Sequence, residues 1–182
     1  MSSSDGINKK LMLDLAEEKF RRLNEKMKEQ SIIATVVLIG GFAGTYLLDT
    51  FRRTYDIDFL MSEINNSAKR RTWWELIEDY GIEEVTVVEV PPVEEIIAHD
   101  TLTYSNLTII IPTIEYLAIT KIFSDRKKDE EDLVQQGILV NCDPQKLEEM
   151  IKLYKGDILN PNNMNYNFHT LKDKLSEYGI NF

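Results

Sequence analysis

The sequence predicts a mixed α/β fold, a β-sheet flanked by helices and followed by a helical C-terminal part. Three observations predict it. The chain opens on a long amphipathic helical pattern, and short β-branched runs then alternate with helical stretches as far as residue 111. From Pro112 onward the periodicity is helical alone.

The elements follow in order. Residues 7–27 carry apolar side chains at Ile7, Leu11, Leu15, Phe20, Leu23 and Met27, near one helical stripe, with Lys, Glu and Arg elsewhere. Thr35–Ile39 is a β-branched run that stops at Gly40-Gly41, a buried strand ending in a tight turn. A short helix over Phe42–Thr50 precedes a second strand over Asp56–Met61. Ala68–Tyr80 is helical and ends at Gly81, a C-terminal cap. A third strand, Glu84–Val90, is closed by Pro91-Pro92. Ile96–Ala98, Thr101–Tyr104 and Leu107–Ile111 are shorter strands separated by turn-forming Asp100 and Ser105-Asn106. Pro112 suits the first turn of a helix through about Phe123, and a second helix lies near Glu130–Gln136. Asp143-Pro144 places an N-cap before proline at the first helical position. The last helix, about His169–Tyr178, stops at Gly179. The order divides the chain into a core, residues 1–139, and a helical extension, residues 140–182.

At 182 residues, 43% hydrophobic and 29% charged, the chain buries a core without disulfide or metal staples. The net charge of −10 argues against a protein coated in nucleic acid. The lone Cys142 forms neither an internal disulfide nor a thiolate zinc site, and reads as a small apolar residue in a reducing compartment. No run approaches the roughly 18 apolar residues of a membrane span, and the first residues lack the order of a signal peptide, so the expectation is a cytoplasmic protein that contacts no membrane.

The chemistry lies in Val37-Leu38-Ile39-Gly40-Gly41-Phe42-Ala43 and in Asp56-Ile57-Asp58-Phe59-Leu60, with 14 residues between Gly41 and Asp56. Alternation along a strand sends Asp56 and Asp58 to one face and Ile57 to the other. Two carboxylates one pleat apart can share a hard divalent cation, magnesium or manganese, which bridges nucleotide phosphates. The paired glycines let backbone approach a phosphate, and the helix after them offers free N–H groups. Each half alone is a common turn or edge; strand, Gly-Gly, helix and Asp-x-Asp strand in this order is far more specific.

With Gly40-Gly41-Phe42-Ala43, Arg53-Thr54 and Asp56-Ile57-Asp58-Phe59, the sequence resembles the polymerase-β-type nucleotidyltransferase superfamily. It looks most like small prokaryotic proteins of the AbiEii-like toxin branch and their uncharacterised relatives. A second matching block runs from Pro112-Thr113-Ile114-Glu115 through Lys121 to Ser124-Asp125-Arg126-Lys127-Lys128-Asp129-Glu130-Glu131-Asp132-Leu133. The resemblance implies a nucleotidyltransferase-like mixed sheet and transfer of a nucleotidyl group from an NTP to an RNA (tRNA among them), a protein or a small molecule. By the same resemblance Gly40, Gly41 and Arg53 would bind the nucleotide, and Asp56, Asp58 and Glu89 would hold the metal. Lys121 would meet the triphosphate, and Asp129 or Asp132 would order the site. The superfamily commonly has Asp where Glu89 stands, and Gly-Ser where Gly40-Gly41 stands. The same fold also serves as a binding module, including in toxin–antitoxin pairs, so an antitoxin partner and no turnover is the rival expectation.

Other residues carry plainer readings. Lys121, on an otherwise apolar helix, could instead be a lysine snorkelling at the rim. Arg126-Lys127-Lys128 beside Asp129–Asp132 is by default a self-paired surface. Arg52-Arg53 reads either as a phosphate-neutralising pair or as a surface turn. Lys69-Arg70-Arg71 with Trp73-Trp74 could touch nucleic acid, although such tryptophans usually pack in a core. His99 and His169 have no ligand spacing around them. A dinucleotide-binding site is excluded because Gly40, Gly41 and Gly44 do not form Gly-x-Gly-x-x-Gly.

Overall fold

The computed structural model describes residues 3–86 and 91–182, with side chains from residue 9 onward. They form two compact units, one comprising Met1–Thr86 and Ala98–Pro112, the other Val87–Ile97 and Thr113–Phe182. The expected division after residue 139 falls within the second unit.

The first unit contains helix α1 (Ser3–Glu29), strand β1 (Ala34–Ile39), helix α2 (Gly40–Leu47), strand β2 (Ile57–Ile64), helix α3 (Arg70–Asp79) and strands β3 (Ile82–Glu84), β4 (Ala98–Thr103) and β5 (Leu107–Pro112). The five strands form one mixed sheet in the order β3-β2-β1-β5-β4. β1 is antiparallel to β2 and parallel to β5, β2 is parallel to β3, and β4 is antiparallel to β5. β1 is central because Ala34, Val36, Val37, Leu38 and Ile39 are buried, leaving no solvated face along most of its length. Phe20 packs against Phe59 with ring centroids 5.8 Å apart, so α1 covers the sheet face that carries Leu38, Ile57 and Phe59.

The buried stripe of α1 has a different phase from the one expected. Met12, Ala16, Phe20, Leu23 and Met27 are buried, whereas Leu11 and Leu15 are 54% and 46% exposed. Ala16 and Met12 extend the Phe20 stripe backward at the helical i, i+4 spacing, which carries Leu11 and Leu15 to its flank.

Several boundaries also differ. Asp56 precedes β2 rather than opening it. In place of the expected strands Ile96–Ala98 and Thr101–Tyr104 there is one strand, β4, which begins only at Ala98 and has a register shift between Ala98 and Asp100. Of the expected strand Glu84–Val90, residues 87–90 lie outside the described residues, and with them Glu89. Pro112 ends β5, and Thr113 is the cap that starts the next helix, its Oγ1 accepting from the Tyr116 N–H at 3.4 Å.

The second unit consists of α4 (Ile114–Ile122), α5 (Lys127–Val134), α6 (Ile138–Asn141), α7 (Pro144–Tyr154), α8 (Asn167–Thr170) and α9 (Lys172–Glu177), with short 3-10 turns at Val93–Glu95 and Lys155–Asp157. The Asp143 cap forms as expected, its carboxylate accepting from the Gln145 and Lys146 N–H groups at 2.9 and 3.1 Å. The single expected last helix is two, broken at Leu171, and Gly179 follows with φ +82°. Cys142 is buried as expected, and burial pushes its thiol up. No helix among the described residues is long and apolar enough to cross a membrane.

Candidate active site

The strand-to-helix junction of β1 and α2 positions Asp58. Antiparallel pairing sets Asp58 opposite Ile39, the last residue of β1. Asp58 therefore lies beside Gly40, where the chain turns into α2 with φ +69°. A Cβ on Gly40 would stand 2.3 Å from Asp58 Oδ2, so this position excludes every side chain twice over, by backbone conformation and by the carboxylate itself. The carboxylate thus rests against bare backbone at the start of a helix, where unsatisfied N–H groups and the helix dipole favour negative charge.

The loop between α2 and β2 is tied down by residues that sequence reasoning passed over. Thr45, 2% exposed, has its Oγ1 3.2 Å from the carbonyls of both Gly41 and Arg52, bridging the glycine pair to the arginine pair. Thr54 is buried, and its Oγ1 accepts from the Asp56 N–H at 3.3 Å. The space above Gly41 is taken by Arg52, whose Nη2 is 2.9 Å from the position of an added Cβ. Arg52 and Arg53 line a cavity of about 360 Å³ together with Lys9, Thr45 and Phe51. Lys9 is paired there with Asp49 at 2.7 Å. Gly40 and Asp58 meet at this junction, and Arg53 and Asp56 lie on the loop that leads from α2 into β2. The signal that could have found Thr45 is weak, because a threonine four residues after a glycine is ordinary in a helix.

Asp56 is exposed and Asp58 is partly buried. Magnesium commonly takes one or two protein carboxylates and completes its shell with water and phosphate oxygens. An all-oxygen pair beside a helix start fits that demand. Glu83 is the register neighbour of Asp58 on β3, but among the described residues no three acidic or imidazole side chains converge on a common point.

Lys121 and Asp129 lie in the second unit, and the structure places them in a buried ion network. Lys121 Nζ donates to Asp129 Oδ1 at 2.7 Å and to Asp132 Oδ2 at 2.8 Å, and all three side chains are at most 4% exposed. The lysine is therefore not at a rim. Asp129 also accepts from Ser124 Oγ at 2.8 Å and from Arg126 Nε at 2.7 Å. Burial pushes the Asp129 carboxyl up, but Lys121, Ser124 and Arg126 outweigh it and hold the group below its ordinary value. Asn167 closes the corner, donating from Nδ2 to the Lys121 carbonyl at 2.9 Å. Its role was invisible in the sequence, being a lone polar residue 46 positions away.

The Trp73-Trp74 segment has a packing role. Trp73 is wholly buried and its Nε1 donates to Glu84 Oε2 at 2.6 Å; Trp74 is 46% exposed and donates to the same oxygen at 3.1 Å. Arg70 pairs with Glu84 and lies 5.5 Å from the Trp74 ring. His99 is exposed, and His169 Nε2 lies 3.0 Å from the Pro161 carbonyl oxygen.

A family profile described as "Nucleotidyltransferase of unknown function (DUF6036)" matches residues 18–180. No curated protein matches the chain.

Proposed function

Since the chain belongs to this nucleotidyltransferase family, we propose that it transfers a nucleotidyl group from an NTP to an acceptor, with Asp56 and Asp58 holding Mg2+ or Mn2+. The observation that carries the proposal is the contact of Asp58 with Gly40, which sets a carboxylate at the strand-to-helix junction where phosphates are bound. In the reaction an acceptor hydroxyl oxygen attacks the α-phosphorus in line and gives up its proton to solvent, the bond to the bridging oxygen breaks, and pyrophosphate leaves with its electron pair. A divalent ion, when bound, supplies charge neutralisation at the phosphates. The chain's own groups orient the substrate. The free N–H groups at Gly40 and Gly41 receive phosphate oxygens, and Arg53 on its exposed loop adds positive charge. Glu89 is the third metal ligand that the superfamily resemblance assigns.

Lys121 and Asp129 act in this reading as positioning residues that fix the corner between α4 and α5, since the ammonium already has two carboxylate partners. The acceptor is an RNA, a protein or a small molecule, and the reaction belongs in the cytoplasm, where a buried single cysteine needs no oxidation. The same engagement of Lys121 favours a second reading, a non-catalytic member of the fold that binds a partner such as an antitoxin.

Titration calorimetry with each NTP and magnesium tests the assignment. Wild type binds nucleotide in a metal-dependent manner, and Asp56→Asn and Asp58→Asn each lose that dependence. Wild-type affinity in both variants would refute the site. Nucleotide binding without transfer to any RNA, protein or small molecule of a cell extract would select the second reading.

A further inference from the structure

A cavity of about 620 Å³ in the first unit takes no part in the site described above. Met12, Leu15 and Ala16 of α1 form one wall, and Phe42, Tyr55 and Ile57 form the other. Ile57 is the residue between the two metal-site aspartates, and strand alternation puts it on the opposite sheet face from Asp58. The cavity therefore lies behind the carboxylate pair. Its size is that of a small-molecule site, about 300–1,000 Å³.

The polar groups at its rim define what it would accept. Lys19 is partly buried and has no hydrogen bond or ion pair among the described residues. Its Nζ lies 4.0 Å from where a Cβ on Gly81 would stand, so the ammonium lies near the turn between α3 and β3. Arg22, also on the rim, is already paired with Glu18. Glu18 itself and Asp79, both exposed, are the two carboxylates of the rim and disfavour a polyanion. A partly buried lysine without a counter-ion, beside an apolar, aromatic-lipped hollow, matches one class of ligand, a body that is apolar or aromatic carrying a single negative charge.

We propose that this cavity is a second ligand site, for a small amphipathic monoanion whose body lies between Leu15, Phe42 and Tyr55 and whose charge meets Lys19. It goes beyond nucleotide binding at Asp56 and Asp58 and does not depend on it. Occupation would hold Tyr55 and Ile57, the two residues that flank Asp56.

The probe is 8-anilinonaphthalene-1-sulfonate, titrated by fluorescence in EDTA without nucleotide, beside its uncharged analogue N-phenyl-1-naphthylamine. The expected result is one saturable site for the sulfonate, weakened at least about tenfold in Lys19→Gln, a change of about 1.4 kcal/mol. The neutral analogue binds wild type and Lys19→Gln alike, and Tyr55→Ala weakens both probes. Tyr55 is 71% exposed, so its truncation spares the fold, and circular dichroism of each variant confirms that it does. Asp58→Asn retains full probe binding, which separates this site from the metal site. Absence of a saturable site, sulfonate affinity unchanged in folded Lys19→Gln, or loss of binding in Asp58→Asn would overturn the proposal.

Discussion

Replacing Lys121 by methionine tests whether the lysine serves mainly as the counter-ion of a buried pair of aspartates. Methionine preserves most of the stem volume while removing the charge. Two carboxylates then remain, Asp129 and Asp132, with side chains 3% and 1% exposed. Asp129 keeps Arg126, whose side chain is 72% exposed, and Ser124. That partial compensation places the cost at about 3–5 kcal/mol, the range for breaking a buried ion pair by removing one partner. For a chain of this size the melting temperature falls about 2–4 °C per kcal/mol, so the variant should melt roughly 6–20 °C lower. Arg126→Ala, by contrast, removes a solvated partner and should cost about 1 kcal/mol or less.

The pH dependence carries its own sign. In wild type Asp129 is held below its ordinary value, so its contribution is present above about pH 4 and lost as the pH falls through the folded value. In Lys121→Met, burial without the ammonium raises the two carboxyls, so acidifying from about pH 7.5 to about pH 5 should narrow the gap to wild type. The triple variant Lys121→Met, Asp129→Asn, Asp132→Asn should recover much of the loss. Thermal melting by circular dichroism at both pH values is the assay. A Lys121→Met protein that melts with wild type, or no more weakly than Arg126→Ala, would refute the reasoning.

Gly40→Ala should cost about 1–3 kcal/mol from the left-handed backbone alone, and the added methyl, 2.3 Å from Asp58 Oδ2, should displace that carboxylate. Melting curves and magnesium–nucleotide calorimetry should fall together, and intact metal-dependent binding would count against the site. Glu84→Ala strands the buried Trp73 N–H and should cost about 1–3 kcal/mol, with a shifted tryptophan emission as the readout. Unchanged stability and emission would remove Glu84 from the packing.

Much of the architecture was legible in the sequence because its determinants are local. The helix of residues 7–27, the strand before Gly40-Gly41, the Asp143-Pro144 start and the Gly81 and Gly179 stops each depend on residues within one or two turns. Only the tertiary structure decided which flank of α1 is buried, since Leu11 and Met12 are equally apolar and the sheet selects the stripe that Phe20 can fill. Only it joined Asp58 to Gly40, because antiparallel pairing across a loop brings an aspartate against a glycine 18 positions earlier. It also decided the burial of Lys121. A lysine among Ile, Leu and Phe reads from sequence as a cation with a free end, yet its neutralising carboxylates come from the next helix and its cap from Asn167. Burial of a charge is decided by what surrounds it in space, and no local pattern carries that information.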